Sequence, residues 1–516
     1  MLRILLLLLL IATSSIAQSQ LKRLNIEVKP DFQFQIISVR TLQSWTGLSD
    51  SDTLVLNFFP DFKIESLKVN GKKTGFKYSK ADSSIRIFKG EIDKLELEIH
   101  YSGKPHQAVK APWDGGFIWK KDTLGNEWLT SAVQGVGSNL WWPSPSRYDN
   151  EPEISEVTCV YPDNLFFKGN GRLKSDSILT NGLRKTTWRT TYPINTYNIS
   201  LNIGNYAHWS DTLILNDNSK LSLDFYPLKN NIEASKRQFQ QAKPMLECFN
   251  KTFDNYPFQK DGYSVVETPY AGMEHQSCIA YGNGYVDGYL GKDYSGIGLN
   301  FDFILIHESG HEWWGNSVSA KNEEDFWLHE AFCTYAEYVY VNCLYGNDKA
   351  EEYINGKKRL VQNEGAILGS LDSGADMYSK GSLMLFTLSG FTDTPEEFIK
   401  IVGDFYKKFA YKSISSAEVF AYFSLRIKNC NPAFFNQYLG VKEPPVLKVE
   451  IKISHGNSEI SCKVLNAIEN FQMPLFLKNK EGELRKILVG KESMTENLIG
   501  IGWAIQETKG YFILAK

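Results

Sequence analysis

Between about residues 20 and 210, apolar and polar positions alternate with a period of two. Leu95, Leu97, Ile99 and Tyr101 are separated by Glu96, Glu98 and His100. That spacing turns one face of an extended strand into a core and the other to water, so the stretch predicts an all-β region. Asn70-Gly71 tolerates two positive φ angles and predicts a tight hairpin joining Lys63–Val69 to a strand around Phe76–Tyr78. From about 230 the apolar spacing becomes helical, first over Ile232–Phe253, then over 302–316, 325–345, 350–363 and 378–389, with a further helical stretch reaching Leu439. Gly440 and Pro444-Pro445 make a break that a helix does not cross. Beyond it Leu447, Val449, Ile451 and Ile453 alternate with Lys448, Glu450 and Lys452, which predicts a small β module. The expected fold is therefore multidomain α+β: a β-rich domain over 18–212, a mainly helical domain over 213–442 and the β module over 443–516.

Residues 1–17 read differently. Arg3 precedes an apolar run from Ile4 to Ala12 and small residues ending Ser15-Ile16-Ala17, the pattern of a cleaved secretory signal peptide. The run is too short for about 30 Å of hydrocarbon. No Cys follows it as a lipid attachment point, and no later stretch is apolar for the required length, so the mature protein is expected to be secreted or periplasmic, without stable membrane insertion. Lys plus Arg number 56 against 59 Asp plus Glu, a near balance that leaves no excess charge to draw the chain to nucleic acid and favours small or peptide ligands. The seven cysteines, an odd number, leave at least one thiol unpaired within the chain. Cys333 and Cys343 fall on one predicted helix, about 15 Å apart by its rise, which forbids a bridge between them. No spacing demands a disulfide, and buried free thiols are expected.

The candidate chemistry lies in His307-Glu308-Ser309-Gly310-His311, set after the apolar run Phe301 to Ile306. Residues four apart share a helix face, so both imidazoles can converge on one zinc ion. Glu308 points about 100° away, where it can reach a metal-bound water without ligating the metal. A catalytic zinc usually holds three side chains, and Glu330 supplies the third from a second helical segment, opened by Asn322-Glu323-Glu324-Asp325 with Asn322 as cap and closed by Gly346.

The run from His307 to Asn316, followed by Phe326-Trp327-Leu328-His329-Glu330-Ala331-Phe332, resembles the zinc signature of the gluzincin aminopeptidases, the family that includes aminopeptidase N and leukotriene hydrolase. Upstream, Ala271-Gly272-Met273-Glu274-His275 is similar to that family's Gly-x-Met-Glu-Asn exopeptidase motif. The resemblance implies that Glu274 holds the substrate's free α-amino group, with Gly272 and Met273 beside it. Downstream, Tyr378-Ser379-Lys380-Gly381-Ser382 resembles the Tyr-x-Lys-Gly element, which implies that the Tyr378 hydroxyl stabilises the oxyanion. Gln134, nine positions before Pro143, matches a family position that reaches the substrate's first residue, while Trp141-Trp142 reads as core. The resemblance further implies a saddle-like first domain, a thermolysin-like catalytic domain, a C-terminal β-sandwich, one Zn2+, and peptides with a free amino end as substrates. His275 and His329 stand where the family usually has Asn. They read as satisfied pocket histidines rather than as a second metal site.

On this reading the zinc ion activates water, Glu308 is the general base and the register is one residue. An endopeptidase is the rival hydrolase, and Glu274 speaks against it. A non-catalytic protein holding zinc as a staple is the rival from another class, and the full set of chemical groups speaks against that. The Gly-rich stretch Tyr281–Asn300 lacks both the Gly-x-Gly-x-x-Gly spacing and a Gly-Lys-Ser/Thr ending, so it reads as a flexible connector rather than a phosphate cradle.

Overall fold

The computed structural model describes residues 19–48, 51–134, 137–296, 300–369 and 374–515. The expected signal peptide lies outside them. The first part of the chain is built on an eight-stranded sheet in which Gln20–Asp31 runs antiparallel to Ile36–Thr46 and parallel to Ile154–Pro162. The alternation seen in Leu95–Gly103 is real: Leu95, Leu97, Ile99 and Tyr101 are at most 3% exposed, whereas Glu96 faces solvent. The Asn70-Gly71 turn forms, with φ of 49° and 78°. It joins Phe62–Val69 to Lys72–Lys73 only, because Phe76–Ser79 leaves for a separate three-stranded sheet with Ser84–Phe88 and Thr53–Asn57. The expected hairpin partner is thereby corrected. Trp141 and Trp142 are wholly buried, as expected of core.

The strand Trp209–Ile214 straddles the 212/213 position taken above as a boundary, and it opens a five-stranded mixed sheet that ends in Ile279–Tyr281 and Gly272–Met273. Helices follow on and around this sheet: α1 (Ile232–Gln238), α2 (Ala242–Thr252), α3 (Phe303–Gly310), α4 (Trp327–Tyr345), α5 (Asn347–Gly356), α6 (Asp376–Ser389), α7 (Pro395–Phe409), α8 (Ser416–Arg426) and α9 (Pro432–Leu439). The single helix expected over Ile232–Phe253 is split by a 3-10 turn at Phe239–Gln241. Asn322 heads a 3-10 turn, Glu323–Asp325, and makes no side-chain cap, whereas Gly346 does end α4 at a φ of 84°. No described helix is long and apolar enough to cross a membrane. The C-terminal residues form a four-stranded sheet around Val446–Ser454 and Asn457–Val464, and a three-stranded one around Gln472–Lys478.

α4 is the structural axis of the middle region. From Trp327 to Val341 every residue is buried, so the helix is packed on all sides rather than along one stripe. Gly381 explains how α6 approaches it: a Cβ there would lie 2.6 Å from the Ala331 Cβ. A disulfide joins Cys248 on α2 to Cys343 at the end of α4, with Cα atoms 6.1 Å apart. This corrects the expectation of free thiols at those two positions, since helix packing, invisible in sequence spacing, brings them together. Cys159, Cys278, Cys333, Cys430 and Cys462 are free and buried.

Candidate active site

α3 starts where Asp302 caps it, its carboxylate accepting from the Leu305 amide at 3.1 Å. Asp302 is itself held by Gln238, Tyr281 and Asn283. This fixed start sets the phase of the helix, which carries His307 and Glu308, and His311 follows as its C-terminal cap with right-handed helical angles. Glu330 comes from the first turn of α4. His307 Nε2 and His311 Nε2 are 3.2 Å apart, and each lies 3.3 Å from Glu330 Oε2. Tetrahedral ligands at about 2.0–2.1 Å from zinc are separated by about 3.3–3.4 Å, so the triangle fits one zinc ion. Glu330 Oε2 is buried without a hydrogen-bond partner, as an oxygen reserved for a metal would be. Burial alone would raise the Glu330 carboxyl, but the imidazoles of His311 and His307 hold it well below the usual range.

The outer ring nitrogens are committed elsewhere. His311 Nδ1 lies 2.9 Å from the Trp314 carbonyl, and His307 Nδ1 lies 2.7 Å from Glu337 Oε1. Both bonds turn Nε2 towards the shared point. The other Glu337 oxygen accepts from Lys357 Nζ at 2.8 Å and from the Tyr353 hydroxyl, so this buried acid is neutralised by a buried base. The motifs above do not include Glu337, yet it stands seven residues after Glu330, two helical turns along the same face, and that spacing is a usable signal. We expect Glu337→Ala to weaken zinc affinity by about 10–100-fold, with Glu337→Gln losing less, as measured by competition with a chromophoric chelator. Equal affinity in all three proteins would show that Glu337 does not orient the ligand.

Glu308 is 7% exposed, and burial pushes its carboxyl up to about 8. It lies against the strand Gly272–Met273 so tightly that a Cβ on Gly272 would be 2.5 Å from Glu308 Oε1, which is why glycine stands there. Met273 is buried and pairs with Ala280. Glu274 is 1% exposed, and its Oε1 has no hydrogen-bond partner. Its backbone is pinned from below: the Asn316 side chain donates to the Glu274 carbonyl at 2.9 Å, and Glu312 accepts from the Ser277 amide at 3.0 Å. The Tyr197 phenol, contributed by the first domain, is raised well above its usual range by burial and then by the charges of Glu274 and Glu330, a neighbour the sequence did not point to.

Gln134 also comes from the first domain, and its amide donates to Glu330 Oε1 at 3.1 Å. The Tyr378 ring stacks at 5.8 Å from His307. Burial, then the carboxylates of Glu330 and Glu274, hold its phenol protonated well above the usual range, so it remains a donor. Gln134, Gly272, Glu274, His307, Glu308, His311, Glu330 and Tyr378 all line one cleft of about 570 Å³. His275 and His329 do not line it. His329 Nε2 accepts from the Ala320 amide at 2.8 Å, as a satisfied histidine does. His275 departs from that expectation, being fully buried with neither ring nitrogen hydrogen-bonded, and burial drives both rings to about 3 and keeps them neutral. The Cys333 thiol donates to the His307 carbonyl at 2.8 Å and ties α4 to α3.

Residues 237–438 match the model of the peptidase family M1 domain. The middle of this chain is an M1 peptidase domain. A leucyl aminopeptidase from Saccharolobus solfataricus is 21% identical over 76% of this chain and 50% of its own length. Leukotriene A-4 hydrolase from Xenopus laevis is 22% identical over 79% of this chain and 69% of its own. The chain thus spans about half of the first relative and about two thirds of the second. Among solved structures, Legionella pneumophila aminopeptidase A in complex with aspartic acid superposes with a TM-score of 0.79 at 15% identity, covering 96% of this chain and 60% of that one. An M1 zinc metallopeptidase from Deinococcus radiodurans bound to a Tyr-Ser-Ala substrate gives 0.68 at 14% identity, over 82% and 94%. The shared fold is a β-rich first part followed by a helical middle, with the M1 domain carrying the donor triangle.

Proposed function

We propose that this protein is an exported zinc aminopeptidase that hydrolyses the first peptide bond of peptides with a free amino end. The observation that carries the reading is the pairing of a zinc-sized donor triangle, His307, His311 and Glu330, with the buried Glu274 carboxylate in the same cleft, whose Oε1 has no hydrogen-bond partner. Zinc, when bound, supplies a Lewis acid and an acidic water. Glu308 takes the proton in its buried setting and hands it to the leaving amine. The Tyr378 hydroxyl donates to the carbonyl oxygen as charge develops there. Glu274 holds the α-ammonium with Gln134 near the first residue, and that grip limits cleavage to one residue. His307, His311 and Glu330 orient around the metal because Glu337 and the Trp314 carbonyl hold the two rings.

The names of the relatives, a leucyl aminopeptidase among them, support the activity. Export rests on the leader-like first seventeen residues, and the Cys248–Cys343 disulfide supports it, since such bonds persist in oxidising compartments. We read the first domain as saddle-like, the middle as thermolysin-like and the two C-terminal sheets as a small β-sandwich. The test is release of product from a set of free-amino peptides and aminoacyl reporters, run before chelation, after it, and after zinc is restored. Activity that survives chelation, or that is equal on Nα-acetylated and free peptides, refutes the proposal.

A further inference from the structure

The cleft is unevenly exposed. Around Glu274 the side chains are closed over: Glu274 is 1% exposed and Tyr197 3%. Elsewhere the cleft is open, and two exposed rings from different parts of the chain line it, Trp113 at 60% exposure from the first domain and Tyr294 at 45% from the M1 domain. From Tyr294 a line of rings leads inward. Tyr294 meets Tyr289 at 5.3 Å, Tyr289 meets Phe303 at 5.8 Å, and Phe303 stacks on the proposed ligand His307 at 5.4 Å. Within the stretch expected to be a flexible connector, Tyr289 and Tyr294 therefore line the cleft, and the chain before them is held in place: Asn283 donates to the Val286 and Gly288 carbonyls and to Asp302. Trp113 is also presented on a fixed loop, whose Asp114 carboxylate accepts from the Val109 and Lys110 amides at 2.6 and 2.8 Å. The one Lys or Arg among the described residues that line the cleft, Lys357, sits 4.8 Å over Phe303 and is already neutralised by Glu337, so it offers no free charge to an anionic side chain.

A peptide whose amine is buried at Glu274 extends towards the exposed part of the cleft, where these rings offer the aromatic surface to whatever follows the scissile bond. Resting on the aminopeptidase reading above, we infer that the wall Phe303–Tyr289–Tyr294, with Trp113 lining the same cleft, is a selectivity site for the residues after the scissile bond, taking large apolar or aromatic side chains and disfavouring acidic ones. Apolar side chains gain by leaving water for the rings. A carboxylate there would be partly desolvated without a partner, in a cleft that already holds Glu274, Glu308 and Glu330.

The test compares Leu-Phe-Gly, Leu-Gly-Gly and Leu-Glu-Gly, which share a first residue. Binding is measured by calorimetry on zinc-loaded Glu308→Gln protein, and hydrolysis is followed on the unaltered enzyme. The Phe peptide is expected to bind at least about tenfold more tightly than the Gly peptide, and the Glu peptide more weakly than either. Placing Trp113→Ala or Tyr289→Ala in the same background should bring the Phe-to-Gly ratio below about threefold, with circular dichroism and zinc content confirming the fold. Equal binding of the three peptides, or a ratio that survives both substitutions, overturns the inference. Discriminating binding without any hydrolysis by the unaltered enzyme would leave this site standing and remove the aminopeptidase reading instead.

Discussion

Glu308→Gln is expected to retain one zinc ion per chain and to lower kcat on a free-amino peptide by about 10²–10⁴-fold. The two halves of that expectation come from different observations. Zinc is retained because the donor triangle closes without Glu308: the three contacts of 3.2–3.3 Å are among His307, His311 and Glu330 alone. Turnover falls because an amide of the same shape fills the space beneath Gly272 but accepts no proton. Glu308 is suited to the exchange by its surroundings, since burial first, with Glu274 and Glu330 adding, pushes its carboxyl up to about 8, close to the working range of a base that must also release its proton. Metal analysis and steady-state kinetics on the same preparation check both halves. Loss of the metal would make Glu308 a ligand, and activity above one tenth of the original would place the base elsewhere.

Local features of this chain were readable from sequence wherever a physical rule acts over a few residues. The two-residue alternation of Leu95 to Tyr101 and the positive φ at Asn70 and Gly71 depend on neighbours alone, and both hold. The four-residue step from His307 to His311 fixes their shared face, and the structure brings the two Nε2 atoms to 3.2 Å. What escaped depends on how separate elements pack. Phe76–Ser79 reads as the natural partner of the preceding strand, yet it pairs in another sheet because a tight turn fixes only the residues next to it. Cys248 and Cys343, 95 positions apart, meet because α2 crosses the end of α4. The same holds within the site. Glu337 was legible as a same-face residue of α4, but its partners Tyr353 and Lys357 come from beyond the next turn of chain. Trp113 reaches the cleft and Tyr197 the surroundings of Glu274 from the first domain, a hundred residues or more before the zinc signature, and no local pattern marks them.

The second large effect is expected at Glu274. Changing it to Ala should lower kcat/KM on free-amino peptides by about 30- to 1000-fold, the range for removing one partner of a buried charge pair, while zinc content stays the same. Charge balance supports this. Glu274, Glu308 and Glu330 line one cleft, and Glu337 is excluded from the sum because Lys357 neutralises it. With Glu308 ionised, as its role as base requires, three carboxylates against a divalent cation leave one negative charge in a site largely withdrawn from water, where an uncompensated charge is costly. An α-ammonium brings the sum to zero. A blocked amine, carrying no charge, leaves the deficit and strands Glu274 Oε1, which has no partner inside the protein. The unaltered enzyme should therefore favour a free-amino peptide strongly over its Nα-acetyl derivative. Glu274→Ala should narrow that preference from the free-amino side, with acetylated substrates no better than before. Glu274→Gln separates charge from shape: it keeps an acceptor oxygen at the same place, so a loss as deep as that of the alanine variant assigns the selectivity to the negative charge, and near-complete retention would assign it to the acceptor oxygen alone, whereas retention in the alanine variant would mean that the ammonium is held by some other group.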